Sequence, residues 1–165
     1  MLSYSDFMTT TTHTAIGAMI GTTVGGPVFG FILGVVSHYL VDMIPHGDMH
    51  MRDSNNLVNK THERMSHVFV IIDVALGITL LNILGSFMPN DVTQSSIYVA
   101  SILGSILPDL LVGSNDLVKS ALGRLHTKLH FFFHDFFCRQ YGDFKLRYSL
   151  LMQMLFVVCT VIFLA

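Results

Sequence analysis

Apolar residues fall into long runs separated by short polar segments, and the runs set the expected elements. From Thr14 to Ile44 the chain is almost uncharged, but Gly25-Gly26-Pro27 sits in its middle. A glycine pair followed by proline breaks or reverses a helix, so one span and a hairpin both stay open there. A second run, from about Met65 to Phe87, meets the need for roughly 20 residues per membrane crossing. A third covers about Ser96 to Val112 and ends in LPDLLVG, and a fourth covers about Leu146 to Leu164. Residues 49–64 form a polar loop with Arg52, Lys60 and Arg64, and Pro-Asn-Asp at 89–91 turns the second run into the third. Residues 116–138 mix Lys119, Arg124 and Lys128 with many Leu and Phe, as suits an amphipathic helix lying in the interface plane. The expected fold is all-α: a polytopic integral membrane helical bundle, one domain over 1–165, with a re-entrant or broken first helix pair and an interfacial amphipathic helix.

Composition moves the solvent from water to lipid. The 165 residues are 52% hydrophobic and 12% charged, with mean hydropathy +0.60, too apolar for an ordinary soluble domain. Residues 1–12 lack the basic start of a cleavable signal, so no cleavage is expected. The two basic loops, 49–64 and 113–147, flank spans on one side, and the positive-inside rule puts them in the cytoplasm. A net charge of −2 without a Lys/Arg run gives no footprint for nucleic acid. Cys138 and Cys159 form no CxxC pair and are expected as small buried hydrophobes.

Nine histidines and ten aspartates, against one glutamate, change the picture again. In SHYLVDMIPHGD, Ser37 to Asp48, His38 and Asp42 are four apart and share a helix face, and Pro45 ends that helix before His46 and Asp48. His13 lies 13 residues before Gly26 and His38 lies 12 after it, so a hairpin turning there brings both to one level. A straight helix over the same distance separates them by roughly 37 Å. Each arm, about 12 residues or roughly 18 Å, is too short to cross a hydrocarbon core of about 30 Å, hence the re-entrant option. Asp91 lies 18 residues from both Asp73 and Asp109, so a second hairpin aligns those carboxylates. An unpartnered carboxylate such as Asp73 inside a span costs about 2.5 kcal/mol or more. His126, His130 and His134 recur every four residues on the amphipathic helix, and His67 is a possible outer partner of Asp73.

Plainer roles exist for each: a protonated or Ser/Thr-bonded Asp73, a helix-end Asp109, an interfacial cap at His13, solvated His46 and Asp48, a polar stripe of histidines over headgroups. His50 and His62 look like ordinary loop histidines. Mixed His and Asp donors without thiolate suit a divalent transition metal, Zn²⁺ first, with Mn²⁺ or Fe as alternatives. The candidate ligands His13, His38, Asp42, His46, Asp73, Asp109, His130 and His134 exceed one tetrahedral set, so one or two ions are conceivable, and two favour phosphoester hydrolysis. Asp48 or Asp135 is left for general base, and the interfacial position points to a membrane lipid as substrate. No GxSxG, HExxH or GxxxxGK[ST] motif is present. The alternative is an ion or metal transporter or channel using Asp73, Asp109 and the broken first helix, and a further one is a structural protein whose histidines respond to pH.

THTAIGAMIG at 12–21, SHYLVDMIPHGD at 37–48, ILGSILPDLL at 102–111 and LHFFFHDFF at 129–137 resemble the bacterial and archaeal membrane-bound metal-dependent hydrolases. More distantly, the His38–Asp42 step is similar to the ligand helices of the zinc-dependent phospholipase C and single-strand nuclease superfamily. The resemblance implies metal roles for His13, His38, Asp42 and Asp109, with His130 or His134 beside them, and a multi-pass protein of the cytoplasmic membrane. The family's P-D-x-D is Pro108-Asp109-Leu110-Leu111 here, its HRG-x-THS stretch has no clear counterpart, and the superfamily's Trp ligand is absent because the chain has no Trp.

Overall fold

The computed structural model describes residues 9–46, 60–86 and 91–164, with side chains for all of these except 60–70, 116, 117 and 146. Among the described residues the chain is helical and holds no strand. The helices are α1 (Thr10–Thr23), α2 (Pro27–Asp42), α3 (Lys60–Gly85), α4 (Val92–Leu117), α5 (Ala121–His134), α6 (Phe136–Tyr141) and α7 (Leu146–Leu164).

The Gly-Gly-Pro signal resolves as a hairpin. α1 ends in extended Val24, and Gly26 is extended ahead of Pro27, which opens α2 at a position where its missing N–H costs nothing. α4 lies against both arms of this hairpin, α3 and α7 flank α1, and α5 crosses α2 and α4. Small residues form the seam. A Cβ on Gly21 would lie 2.7 Å from Tyr98 Cα, and one on Gly34 would lie 2.8 Å from the Ser105 nitrogen. Gly17 and Gly104 are equally crowded, by Ser105 and by the Phe31 carbonyl. Backbones that approach this closely are characteristic of helices packed through small residues.

Several boundaries differ from the expected ones. α3 starts at Lys60, inside the segment expected as a polar loop. α4 extends the third run at both ends and passes through Pro108 without stopping. It takes residues 116 and 117 from the expected amphipathic helix, which starts instead at Ala121, where the Ser120 hydroxyl accepts the Gly123 N–H. A break at 118–120 has no Gly or Pro to announce it. The amphipathic segment is also split at Asp135 into α5 and α6. Cys138 is buried as expected, whereas Cys159 is exposed on the outer face of α7.

The distribution of side chains is inverted relative to a water-soluble bundle. Among the described residues, the buried set is mostly polar, with Thr11, Thr12, His13, His38, Asp42, Ser101, Ser105, Ser149, Gln153 and Thr160 inside. Ile71, Leu76, Ile78, Leu151, Leu155 and Ile162 face outward. Two helical segments are long and apolar enough to cross a membrane, Val92–Asn115 and Arg147–Leu164; the apolar parts of α2 and α3, Pro27–Asp42 and Ile71–Gly85, are shorter.

Candidate metal centre

The site is built on the first turn of α1, which three elements hold in place. Thr9 caps it from within, its hydroxyl accepting the Thr12 N–H. From α3, the Asp73 carboxylate accepts the Thr10 N–H at 2.7 Å, the Thr11 N–H at 3.2 Å and the Thr11 hydroxyl at 2.7 Å. From α7, Gln153 Oε1 accepts the Thr9 N–H and hydroxyl, both at 2.9 Å. Helix N-termini leave N–H groups without intrahelical partners and favour negative charge, so Asp73 and Gln153 answer a need the helix itself creates. His13 is thereby fixed one turn in, and Ser105 of α4 donates its hydroxyl to the His13 carbonyl at 2.8 Å.

Four side chains from three helices then converge: His38 and Asp42 from α2, Asp109 from α4 and His130 from α5, each offering one ligand atom within 4.8 Å of the others. His38 Nε2 is 3.1 Å from Asp42 Oδ2 and 3.4 Å from Asp109 Oδ1. His130 Nε2 is 3.7 Å and 3.8 Å from the same two oxygens. His13 stands beside the group, its Nε2 3.0 Å from the other Asp42 oxygen. His13, His38 and His130 are fully buried and Asp42 nearly so, while Asp109 keeps part of its side chain open.

The hydrogen bonding of His38 decides what this group suits. Its Nδ1–H donates to the Ser105 carbonyl at 2.8 Å. In the neutral ring, Nε2 then carries the lone pair and faces two carboxylate oxygens. Two acceptors and a lone pair directed at one point repel, so either a proton on Nε2 shared with Asp42 or a metal ion lies between them, and an imidazole anchored through its second nitrogen is the usual partner of a bound metal. The donor set, two imidazoles and two carboxylates without sulfur, could hold a metal ion.

The line of imidazoles continues. Ring centroids are 4.1 Å apart for His13 and His38, 5.4 Å for His38 and His130, 6.0 Å for His130 and His134, and 4.6 Å for His134 and His46. His134 Nδ1–H donates to Asp135 at 3.1 Å, and the Arg139 guanidinium holds the second Asp135 oxygen at 2.9 Å. On the other side, the Tyr39 hydroxyl meets His126 Nε2 at 3.1 Å, and its ring packs on His130 and Phe133. Burial, with the His130 and His38 imidazoles close by, holds His126 below the usual histidine range.

Of the residues expected as ligands, His38, Asp42, Asp109 and His130 form the group, His13 supports it through Asp42, and His46 and His134 lie farther along the line. Asp73 is not brought in; its oxygens serve the start of α1, the Ser/Thr-bonded alternative in a form that reaches another helix. Asp135, the other candidate for general base, is buried with its carboxylate between His134 and Arg139. Asp48, His50 and the side chains of His62 and His67 lie outside the described residues. Ser105, Tyr39 and Gln153 were missed. A lone glutamine inside the last apolar run was a signal for Gln153, whereas nothing marks Ser105, which acts partly through its backbone carbonyl. No protein-family model matches this chain, and no curated protein or solved structure is measurably similar to it.

Proposed function

We propose that this chain is a membrane-embedded, metal-dependent hydrolase of phosphoesters carried by lipids, working at the cytoplasmic face of a bacterial or archaeal inner membrane. The supporting observation is the convergence of His38, Asp42, Asp109 and His130 on one point, with His38 anchored through Nδ1 on the Ser105 carbonyl so that Nε2 is the atom facing the group. A Zn²⁺ or Mn²⁺ ion at that point supplies Lewis acidity toward a phosphoryl oxygen and lowers the pKa of water. His13 orients Asp42, Ser105 orients His38, and the partly open Asp109 marks the side from which substrate arrives. The multi-pass arrangement draws support from the apolar exterior and the two long apolar segments of α4 and α7. Membership in the membrane-bound metal-dependent hydrolases belongs to the same proposal and rests on the motif resemblance. The transporter alternative draws less support, since Asp73, one of its two intramembrane carboxylates, is occupied as a helix cap.

Elemental analysis of detergent-purified protein tests this directly. Wild type retains stoichiometric transition metal, and Asp42→Asn lowers its metal affinity by about tenfold or more. Wild-type protein without metal after loading with Zn²⁺ or Mn²⁺, or unchanged affinity in Asp42→Asn, refutes the assignment.

A further inference from the structure

We propose that α5 carries a docking site for anionic phospholipid, with Arg124 and Lys128 as the groups that hold its phosphate. The inference rests on the membrane-embedded reading given above and deepens it by naming the class of lipid presented to the metal group. It starts from the way side chains are distributed around α5. At about 100° per residue and with His130 as origin, His126 and His134 lie within about 40° of it, Arg124 and Lys128 follow at about 120° and 160°, and Phe132, Leu125, Leu129 and Leu122 lie at about 200–280°. Only the first sector faces the protein, where α5 meets α2 and α4 and buries His130 and His134.

The third sector is an apolar stripe that the described residues leave open. Leu122 is 76% exposed, Leu125 64%, Phe132 57% and Leu129 49%. Two cations along one flank set this stripe apart from the outer face of α7, where Leu151, Leu155 and Ile162 are exposed in a run without Lys or Arg after Arg147. An apolar stripe flanked by long basic side chains suits a helix lying among the headgroups, with its stripe toward the acyl chains and its cations extended to the phosphates.

Charge decides which headgroups those are. Six of the nine Lys and Arg residues fall in 113–147, against three Asp. Asp135 is buried and already holds Arg139, and the Arg147 guanidinium lies over the Tyr148 ring, 4.7 Å from its centroid. Arg124 and Lys128 are exposed, stand one turn apart on one face, and form no ion pair among the described residues. Such a pair favours an anionic headgroup over a zwitterionic one, in which the headgroup's own cation offsets the attraction to phosphate. Lys128 precedes His130 by two residues, so only the width of a helix, about 10–12 Å, separates the gathered lipid from the metal group.

The chain contains no Trp, so a single introduced one reports on the lipid beside it. Full-length Leu125→Trp and Leu155→Trp proteins are reconstituted in equal mixtures of phosphatidylglycerol and phosphatidylcholine, with brominated acyl chains on one lipid or the other, and the quenching of Trp fluorescence is compared. At position 125, brominated phosphatidylglycerol quenches as though enriched about twofold or more over brominated phosphatidylcholine; at position 155 the two quench alike. Adding Arg124→Gln and Lys128→Gln to Leu125→Trp removes the preference, and adding Arg124→Lys and Lys128→Arg keeps it, with helical circular dichroism unchanged in both. Equal quenching by the two lipids at position 125 overturns the docking site and leaves the metal centre standing, as does a preference that survives the double Gln substitution. Quenching at position 155 with none by either lipid at position 125 shows the stripe covered by protein and overturns the docking site as well. No quenching at either position refutes the membrane-embedded reading itself. Elemental analysis of the same samples separates the two assignments: phosphatidylglycerol preference without bound metal refutes the metal centre and leaves the docking site standing.

Discussion

Asp73 and Asp42 are both aspartates on apolar helices, and their partners separate them. Asp73 receives backbone N–H groups and a hydroxyl at the positive end of α1, which satisfies an anion without any metal. Asp42 faces ring nitrogens of His13, His38 and His130. The two substitutions should therefore act in opposite ways. Asp73→Ala strips the start of α1 of its external cap and lowers stability by about 1–2 kcal/mol, the usual scale for losing a cap, while the metal content of the folded protein stays near wild type. A thermal melt followed by circular dichroism, with elemental analysis of the same sample, checks both halves. Loss of metal in folded Asp73→Ala would return Asp73 to the ligand set.

At the scale of elements, the geometry of the site depends on how closely α2 approaches α4. His38 and Asp42 ride on α2 and Asp109 on α4, and the seam between them has no room for a side chain at Gly34. Gly34→Val pushes the helices apart, and overpacking of this kind costs about 1–3 kcal/mol. It also separates the two halves of the ligand group, so metal affinity falls together with stability. Gly25, whose Cβ direction is open, tolerates alanine with neither effect. Metal titration of the two variants in parallel distinguishes a seam that sets the site from one that only packs. The same elements show what the sequence made legible. The Gly-Gly-Pro break and the four-residue step from His38 to Asp42 are local signals; the break left one span and a hairpin both open, and the structure has the hairpin. The second hairpin was an expectation from equal spacing about Asp91, which says nothing of rotation about each helix axis; in the structure α3 packs on α1 and α4 packs on both arms of the first hairpin. Asp109 turns toward α2 while Asp73 turns toward the start of α1. The break before α5 was hidden because Ser120 caps it without changing the local composition.

For the molecule as a whole, the inverted distribution of polar and apolar side chains ties the proposed chemistry to a depth in the bilayer. Polar groups inside and apolar groups outside suit lipid as solvent, where helices associate through close packing and internal hydrogen bonds. Leu40, exposed and two residues before Asp42, reports the level of the ligand group; Leu122 of α5 and Leu155 of α7 are exposed as well. Nitroxide labels at Leu40→Cys, Leu122→Cys and Leu155→Cys, each in a Cys159→Ser background and reconstituted in vesicles, measure depth by their relative access to oxygen and to a water-soluble nickel chelate. The α7 label should be the deepest, with access to oxygen and little to nickel. The Leu122 and Leu40 labels should sit together near the headgroups, because a hydrolase of lipid headgroups must hold its ligands where headgroups and water reach them. A Leu40 label as deep as Leu155 would place the His and Asp cluster at mid-membrane, where a headgroup cannot arrive and an ion path can, and would favour transport. Nickel access at all three positions would remove the bilayer from the proposal altogether.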